Sequence, residues 1–365
     1  MRTRTQTSRF LPLDGATEEF HVVTTVTDPE LGFDAQLEAV IQACREASEG
    51  RTVLFRRFFL SDAANQAPRL AQALAALPTA PTSVVGQAPL DGTRIALWMY
   101  CTSPLESPGG VPQHNGYAHH WAGSLVAPGN DSREQMTGIF RQYEAQLAPQ
   151  GLSVARDTVR TWIFVRDVDA NYAGVVEGRK AYFDRIGLTA DTHYIASTGI
   201  EGYTADWQDI VEMDACSVSG LQEGQIRFLH APEHLNRTSE YGVTFERGTA
   251  VTYGDRRHVF ISGTASIDAQ GNVLHPGDAV AQTRRALENI AALLADADAK
   301  LADLAMAVVY LRDPADYRGV RRVVEETCPS LNAVYVHAPV CRPAWLVEIE
   351  GIAVTKAGNA AFRPY

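Results

Sequence analysis

Apolar and polar positions alternate in an order of elements that recurs along the chain, and the C-terminal part shows it most clearly. HVFISGTASI (258–267) predicts a strand, and the helix DAVAQTRRALENIAALLADA places Val280, Thr283, Leu287, Ile290 and Leu294 at helical spacing. AMAVVYL predicts a buried strand that ends in the turn RDPADY. YRGVRRVVEET predicts a second helix, and WLVEIEGIAV predicts a closing strand.

Two upstream regions follow the same order. The middle one contains SREQMTGIFRQYEAQLAPQG, TVRTWIFV, the turn RDVDANY, GVVEGRKAYFDRIG and DIVEMDACSV. The first contains AQLEAVIQACREAS, TVLFRRFFL, SDAANQ, APRLAQALAAL and TRIALWMY. Generic α/β alternation without repetition is the alternative, but the turns LRDPADY and VRDVDANY match closely. We therefore predict three degenerate units at residues 1–110, 111–235 and 236–365.

A unit of this kind has one sheet with two helices on one face, so the other face of the sheet needs a cover. The other two units can provide it. The predicted fold class is therefore α/β (α+β), with three fused units whose sheets face inward around a pseudo-threefold axis and leave clefts between neighbouring units.

Composition and charge limit the partners. The chain has 365 residues, 45% hydrophobic and 21% charged, which is typical of a globular protein. A net charge of -11 disfavours nucleic acid and anionic membrane surfaces as partners. MRTRTQTSRF is not followed by the apolar region of a signal peptide, and the five scattered cysteines lack zinc spacing. We expect a cytoplasmic location.

The C-terminal motifs carry a family resemblance. FISGTASIDAQGNVLHPGDAVAQTRRALENIAALL, VVYLRDPADY and VEIEGIAV resemble the YjgF/RidA signature over most of residues 241–354. The resemblance implies trimers that bind a small carboxylate-bearing molecule at each subunit interface, and a best-known activity of hydrolysing enamines and imines. Three fused units would then resemble one such trimer in a single polypeptide.

Further motifs narrow the resemblance. APVCRPAWLVEIEGIA, with RTWIFV, EGRKAYF and YIASTGIEG, resembles the chorismatases, which remove pyruvate from chorismate by hydrolysing its enolpyruvyl ether. The ordinary deaminases carry an arginine early in the strand before the EIE strand, where LNAVYVHAP has none. This departure disfavours a standard imine deaminase, and Arg342 could supply the cation instead.

Glu348 and Glu350 are the candidate catalytic residues. At positions i and i+2 of a strand they point to the same face, where repulsion and burial would raise one pKa and give a general acid or base. By the resemblance Glu348 matches the family's acidic residue; the alternative is that a glutamate merely pairs with a cation or faces solvent. Glu212 and Asp214 share this register, whereas the first unit has IALWM, so at most two clefts can use an acid pair.

A substrate with two carboxylates, such as chorismate, requires planar cationic groups that donate two hydrogen bonds each, which favours arginine over lysine. The candidates are Arg342, Arg160, Arg179 and Arg247. Arg179 lies on a helix, where an exposed arginine is the commoner outcome. Phe245 or Tyr241, close to Arg247, could stack on the ligand or belong to the core.

Other residues complete the expected pocket. Ser262, Gly263 and Thr264 could offer backbone amides to an anion, although a strand-end bend explains them equally well. Cys341 is assigned to the pocket wall rather than to a nucleophile, because no motif places a histidine beside it. His337 could hydrogen-bond the substrate. We expect no metal, because adjacent histidines in HHW point to opposite faces, and no nucleotide cofactor, because no phosphate-binding glycine motif is present.

The sequence leaves competing functions open. The first is a cofactor-independent hydrolase or lyase acting on chorismate or a similar enolpyruvyl carboxylate, with Glu348 as acid and Arg342 as carboxylate clamp. The others are an enamine or imine deaminase and a non-catalytic metabolite-binding protein. Further assembly into a homo-oligomer is left open, and ribonuclease activity finds little support in an acidic chain.

Overall fold

Three sheets with their helices make up the protein, and the computed structural model describes residues 2–12 and 16–365 without the side chain of Tyr241. The suggested stacking role of Tyr241 therefore lies outside the described side chains. The first unit contains β1 (Thr3–Phe10), β2 (Glu19–Val26), α1 (Phe33–Ser48), β3 (Thr52–Leu60), α2 (Ala63–Leu74), β4 (Thr82–Gly86) and β5 (Ile95–Thr102).

The second and third units repeat these elements. The second contains β6 (Gln113–His114), β7 (Tyr117–Leu125), α3 (Ser132–Leu147), the single turn α4 (Val154–Asp157), β8 (Thr158–Val165), α5 (Val168–Arg185), β9 (Ala196–Glu201) and β10 (Val211–Ser219). The third contains β11 (Ile226–Phe228), β12 (Gly248–Thr252), β13 (Arg257–Ala265), α6 (Ala279–Asp296), β14 (Leu304–Leu311), α7 (Tyr317–Thr327), β15 (Ala333–His337) and β16 (Val347–Thr355).

The strand orders of the three sheets are equivalent. They are β1-β2-β5-β3-β4, β6-β7-β10-β8-β9 and β11-β12-β13-β16-β14-β15. In each sheet the last pair is parallel and the other neighbours are antiparallel. This repetition confirms the predicted fold of three fused units. We propose to place the division between the second and third units before Ile226, because β11 pairs with β12.

Several elements have the predicted bounds, and two local expectations were wrong. β3, β8 and α7 coincide with TVLFRRFFL, TVRTWIFV and YRGVRRVVEET. RDVDANY was expected to be a turn, but α5 begins within it at Val168 after a left-handed residue, Asp167. Val280 was placed on the apolar face of its helix, yet it is 38% exposed, because the buried face of α6 runs through Ala279, Thr283 and Leu287.

Each sheet has an outer face covered by its own helices and an inner face covered by the other units. In the second unit, Ile139 and Phe140 of α3 pack with Val175 of α5 against Ile163 and Met213. The inner faces form a common core rich in tryptophan, where Trp121 lies with its ring centroid 5.8 Å from that of Trp162 and 6.4 Å from that of Trp98. Burial of these rings against one another explains the inward-facing arrangement.

A buried cation lies in this common core. Arg57 of β3 is fully buried, and its Nε donates to Oδ2 of Asp214 at 2.9 Å. Its guanidinium also lies 4.9 Å from the ring centroid of Trp162. Because a buried charge needs a partner, this contact ties the first unit to the second.

No helix of the described residues is long and apolar enough to span a membrane.

Candidate active site

A cleft lies between the second and third units. Seven residues singled out from the sequence line it, namely Glu348, Arg342, Cys341, Gly263, Phe245, Arg247 and Arg179. Both units contribute, since Arg179 lies on α5 and Glu348 lies on β16. The cleft is therefore an interface between neighbouring units, as the repeat predicted.

Glu348 provides the acidic group of this cleft. It lies near the start of β16, between Ala265 of β13 and Tyr310 of β14 in the ladder, and is only 5% exposed. Burial, and secondarily the nearby negative Glu350, raise the pKa of Glu348 to about 8. No described residue donates a hydrogen bond to its carboxyl group. Glu348 is thus a protonated acid at neutral pH with its oxygens available to a ligand.

Glu350 shares the inward face with Glu348 but is fully engaged. Its Oε2 accepts hydrogen bonds from Nη2 of Arg160 at 2.6 Å and from the hydroxyl of Thr198, and its Oε1 accepts from the hydroxyl of Tyr310 at 2.7 Å. Nη1 of Arg57 lies 3.6 Å from Oε1. Glu350 does not line the cleft, so its chemistry is structural and electrostatic.

Two buried arginines form the cationic side of the cleft. Arg179 is 1% exposed; its Nε donates to Oγ1 of Thr244 at 3.0 Å, while its Nη2 has no hydrogen-bond partner among the described residues. Arg247 is held by the carbonyl of Asn236, to which its Nη2 donates at 3.0 Å. The ring of Phe245 lies between them, 5.9 Å and 5.6 Å from the two guanidinium carbons. The alternative that Arg179 is exposed on its helix is excluded, because Thr244 and the third unit cover it.

Arg342, Trp345 and Cys341 form the rim opposite. The guanidinium of Arg342 lies 5.3 Å from the ring centroid of Trp345 and is exposed. Burial, and then the proximity of Glu348, raise the pKa of the Cys341 thiol to about 12. A thiol of this kind carries little thiolate at neutral pH, which is consistent with a wall residue.

Four other predicted residues lie outside the cleft. Arg160 is turned inward to Glu350, and the ring of His337 lies 3.2 Å from the Arg312 carbonyl, so neither side chain lines the cleft. The hydroxyls of Ser262 and Thr264 donate to the main chain, to the carbonyls of Glu246 and Ser262. None of these four side chains lines the cleft, and the substrate contacts expected of Arg160 and His337 stay predictions.

The backbone amides of FISGTAS are also engaged. The Ser262 N–H donates to the Arg247 carbonyl at 3.1 Å, and the Gly263 N–H donates to Oγ1 of Thr198 at 2.9 Å. These two amides are not available to an anion, and Gly263 serves instead as the floor of the cleft.

Sequence reasoning missed seven lining residues. They are Tyr172, Ser197, Gly199, Val243, Ala265, Ile267 and Trp345. Tyr172 had a signal, because it stands seven residues before Arg179 and so lies on the same side of α5. Ser197 and Gly199 belong to YIASTGIEG, which carries only the resemblance to the chorismatases. The apolar residues had no such signal.

The other two clefts differ from this one. Ala96, Glu212 and Glu348 occupy equivalent positions, since each follows the residue paired with the last residue of the neighbouring strand. The carboxyl oxygens of Glu212 are sealed from solvent, and the Val84 N–H donates to Oγ of Ser124 across that contact at 3.0 Å. The groove between the first and third units has Ala96 at the acid position. Of the three equivalent positions, all among the described residues, only that of Glu348 places a carboxyl group in an open cleft.

The described residues show no cluster of histidine, cysteine and carboxylate side chains placed to hold a metal ion. All five cysteines are free thiols.

Known proteins resemble both the third unit and the whole chain. The endoribonuclease L-PSP family model matches residues 248–355. The 3-aminoacrylate deaminase RutC of Acinetobacter baylyi is 38% identical over 97 residues, covering 26% of this chain and 77% of that protein. The 3-hydroxybenzoate synthase of Streptomyces hygroscopicus is 30% identical over 219 residues, covering 53% of this chain and 62% of that protein. The chain thus spans less than two thirds of this second relative.

A chorismatase crystal structure has the same fold. It superimposes with a TM-score of 0.62 at 20% identity, and the match covers 96% of this chain and 97% of that one. At this identity the likeness concerns the fold alone. It extends through all three units, whereas the family model covers the third.

Proposed function

We propose that this chain, which belongs to the endoribonuclease L-PSP (YjgF/RidA) family, hydrolyses the enolpyruvyl ether of chorismate or a similar carboxylate without a cofactor and releases pyruvate. The full-length chorismatase fold and the similarity to a 3-hydroxybenzoate synthase support this proposal. It is further supported by the chemistry of the cleft between the second and third units.

One observation carries the proposal: a carboxyl group and a guanidinium Nη2 that both lack a hydrogen-bond partner among the described residues line the same cleft. Glu348 has a pKa of about 8, and Nη2 of Arg179 has no hydrogen-bond partner among the described residues. A small anionic molecule satisfies the guanidinium with its carboxylate, because charge-assisted pairs with arginine are strong in a water-poor site. The same molecule then meets a proton donor.

The reaction needs one proton and one water. Glu348 donates its proton to the methylene carbon of the enolpyruvyl group, which turns the ether carbon into an oxocarbenium ion. Water adds to that carbon, and its released proton returns to the Glu348 carboxylate. The hemiketal then collapses: its hydroxyl proton passes to the ether oxygen, the bond between that oxygen and the former enolpyruvyl carbon breaks, and pyruvate and the ring alcohol are released.

The arginines explain how the substrate is oriented. Arg179 and Arg247 flank Phe245 on one side of the cleft, and Arg342 stands at the rim. Three guanidinium groups suit a molecule with two carboxylates, and Phe245 offers a ring for its unsaturated ring to contact. Positioning of this kind lowers the barrier by holding the methylene carbon next to Glu348.

Pyruvate release tests the proposal. Purified protein is incubated with chorismate, and pyruvate is followed by the oxidation of NADH in the presence of lactate dehydrogenase. We expect steady release by the wild type, and a loss of at least about 100-fold in Glu348→Gln, because the amide cannot donate the carboxyl proton.

The matched control is Glu288→Gln, which neutralises an exposed glutamate on α6. It should keep the wild-type rate. Wild-type protein that releases no more pyruvate than Glu348→Gln would refute the proposal.

A deaminase-like hydrolysis of imines is the second candidate. The 38% identity to RutC over 97 residues favours it. β15 (Ala333–His337) contains no arginine, so an imino acid would have to use Arg179 or Arg247 instead. Ammonia release from an amino-acid-derived imine, without pyruvate release from chorismate, would identify this activity.

A further inference from the structure

We infer that Thr198 is a positioning residue: its hydroxyl, supplied by the second unit, links Glu350 of the third unit to the Gly263 backbone and so fixes the Glu348 carboxyl group in the cleft. The inference rests on the proposed function for its kinetic test. It assigns a role to a residue that does not itself line the cleft.

The hydrogen bonds of the Thr198 hydroxyl are determined by its partners. The side chain is 1% exposed on β9, and its Oγ1 accepts from the Gly263 N–H at 2.9 Å and from Nη2 of Arg160 at 2.5 Å. Both of these groups can only donate. A hydroxyl has one proton and two acceptor sites, so its single proton goes to Oε2 of Glu350. The hydroxyl is therefore fully used and held in one orientation.

Gly263 transmits this arrangement to the acid. It lies at the bulge of β13, where the pairing with β16 shifts between Ile261 and Thr264. A Cβ atom on Gly263 would lie 2.1 Å from Oε1 of Glu348. The carboxyl group thus rests directly on the Gly263 backbone, and a shift of that backbone would move the acid.

The internal repeat supports a link between the hydroxyl and the acid. By strand register, Thr198 corresponds to Ser83 of β4 and to Val334 of β15. The cleft of Ser83 keeps both an inner carboxylate, Asp214, and an outer one, Glu212.

The remaining cleft, between the first and third units, has no hydroxyl or carboxyl side chain at any of the three equivalent positions. There the equivalents of Thr198, Glu350 and Glu348 are Val334, Trp98 and Ala96. The two clefts that have an acid pair also have the hydroxyl, and the cleft that has no acid pair has no hydroxyl. A positioning role predicts this pattern.

The kinetic test compares Thr198→Val with Thr198→Ser in the full-length chain. Valine keeps the shape and removes the hydroxyl, whereas serine keeps the hydroxyl. We expect Thr198→Val to lower kcat for pyruvate release about 10- to 100-fold with KM changed less than about threefold, because the acid is misplaced while the arginines stay. Thr198→Ser should keep kcat within about threefold of wild type.

A second variant disturbs the same link from its other end. Gly263→Ala leaves the Thr198 hydroxyl intact and pushes on Glu348, so it should lower kcat to a similar extent. If Thr198→Val does not fold, which melting temperature and circular dichroism reveal, Thr198→Ala removes the same hydroxyl with a smaller side chain and takes its place in the comparison with Thr198→Ser. Wild-type kcat in a folded Thr198→Val, or in Gly263→Ala, would overturn the inference.

A readout without turnover separates this inference from the proposed function. Carbon-13 NMR of protein labelled at glutamate carboxyls, with Glu348→Gln for assignment, follows the titration of Glu348. In Thr198→Val, or in Gly263→Ala, the titration midpoint of Glu348 should fall by at least about one pH unit toward the ordinary pKa of a glutamate, because the loosened site admits water. If the wild type releases no pyruvate, the proposed function fails, and an unmoved midpoint would then overturn the positioning role as well.

Discussion

Nη2 of Arg160 lies 2.6 Å from Oε2 of Glu350, although the two residues belong to different units and are separated by 190 positions. Both side chains are almost sealed from solvent. This pair removes Glu350 from the list of available acids and leaves Glu348, two residues earlier on the same face, as the acid of the cleft. The contact therefore both joins two units and selects between two carboxylates.

Breaking this pair should cost stability. Arg160→Gln leaves Glu350 buried with one fewer cation, and we expect a loss of about 3–5 kcal/mol in the free energy of unfolding. Urea denaturation measures it. Arg321→Gln, which breaks the exposed pair with Glu325, serves as the control and should cost less than about 1 kcal/mol. Equal midpoints for the two variants would contradict the importance of the buried pair.

The rate should fall at alkaline pH. Glu348 must be protonated to act as the acid, and burial raises its pKa to about 8. We expect kcat for pyruvate release to decline tenfold per pH unit well above about 8. Glu350→Gln removes the negative charge next to Glu348 and should therefore move the alkaline decline in kcat to lower pH. A decline that does not respond to Glu350→Gln would assign the titration to another group.

Stability should show the same group with a definite sign. Because the folded-state pKa of Glu348 is raised, the folded protein binds this proton more tightly than the unfolded chain. Its contribution is complete below about pH 4.3, the ordinary value, and is lost as pH rises through about 8. As pH rises from 5 to 9, the melting temperature of Glu348→Gln should therefore increase relative to that of the wild type. A constant difference over this range would contradict the raised pKa.

Arg179 should control substrate affinity. Arg179→Gln removes a buried guanidinium whose Nη2 has no hydrogen-bond partner among the described residues, and the loss of one charge-assisted hydrogen bond of about 1.5–3 kcal/mol to the substrate corresponds to a KM about 10- to 100-fold higher. Lys180→Gln is the matched control, because Lys180 is the next residue on α5 and is exposed. A KM unchanged by Arg179→Gln would place the carboxylate of the substrate elsewhere.

Glu212 should be dispensable for turnover. It occupies the position of Glu348 in the second unit, and its pKa is raised to about 8 by burial and by Asp214, but its oxygens are sealed from solvent. We expect Glu212→Gln to keep kcat within about twofold of the wild type, in contrast to Glu348→Gln. A comparable loss of pyruvate release in both variants would show that the second cleft opens and works.

Local pattern was enough to predict most of the fold. β3, β8 and α7 have the predicted bounds because strand and helix periodicities are properties of neighbouring residues. The repeat added the arrangement of units, since three sheets with one bare face each can bury those faces only against one another. The shared orientation of Glu348 and Glu350 followed from the same alternation along a strand.

The roles of individual site residues depended on contacts that no local pattern records. Arg160 and Arg179 were both placed in the pocket by residue type, yet β8 directs Arg160 to Glu350, and Thr244 of the third unit holds Arg179 at the cleft. His337 was expected to hydrogen-bond the substrate, but on β15 its ring lies beside the Arg312 carbonyl.

The sequence by itself determined three similar units, their strands and helices, and a pair of carboxylates on one inward face. Only the tertiary structure decided which of the two carboxylates lacks a hydrogen-bond partner, which arginines line the cleft, and which of the three equivalent acid positions lies in it. The physical reason is that burial, charge pairing and pKa depend on distances between units, and residues more than a hundred positions apart in the chain set those distances.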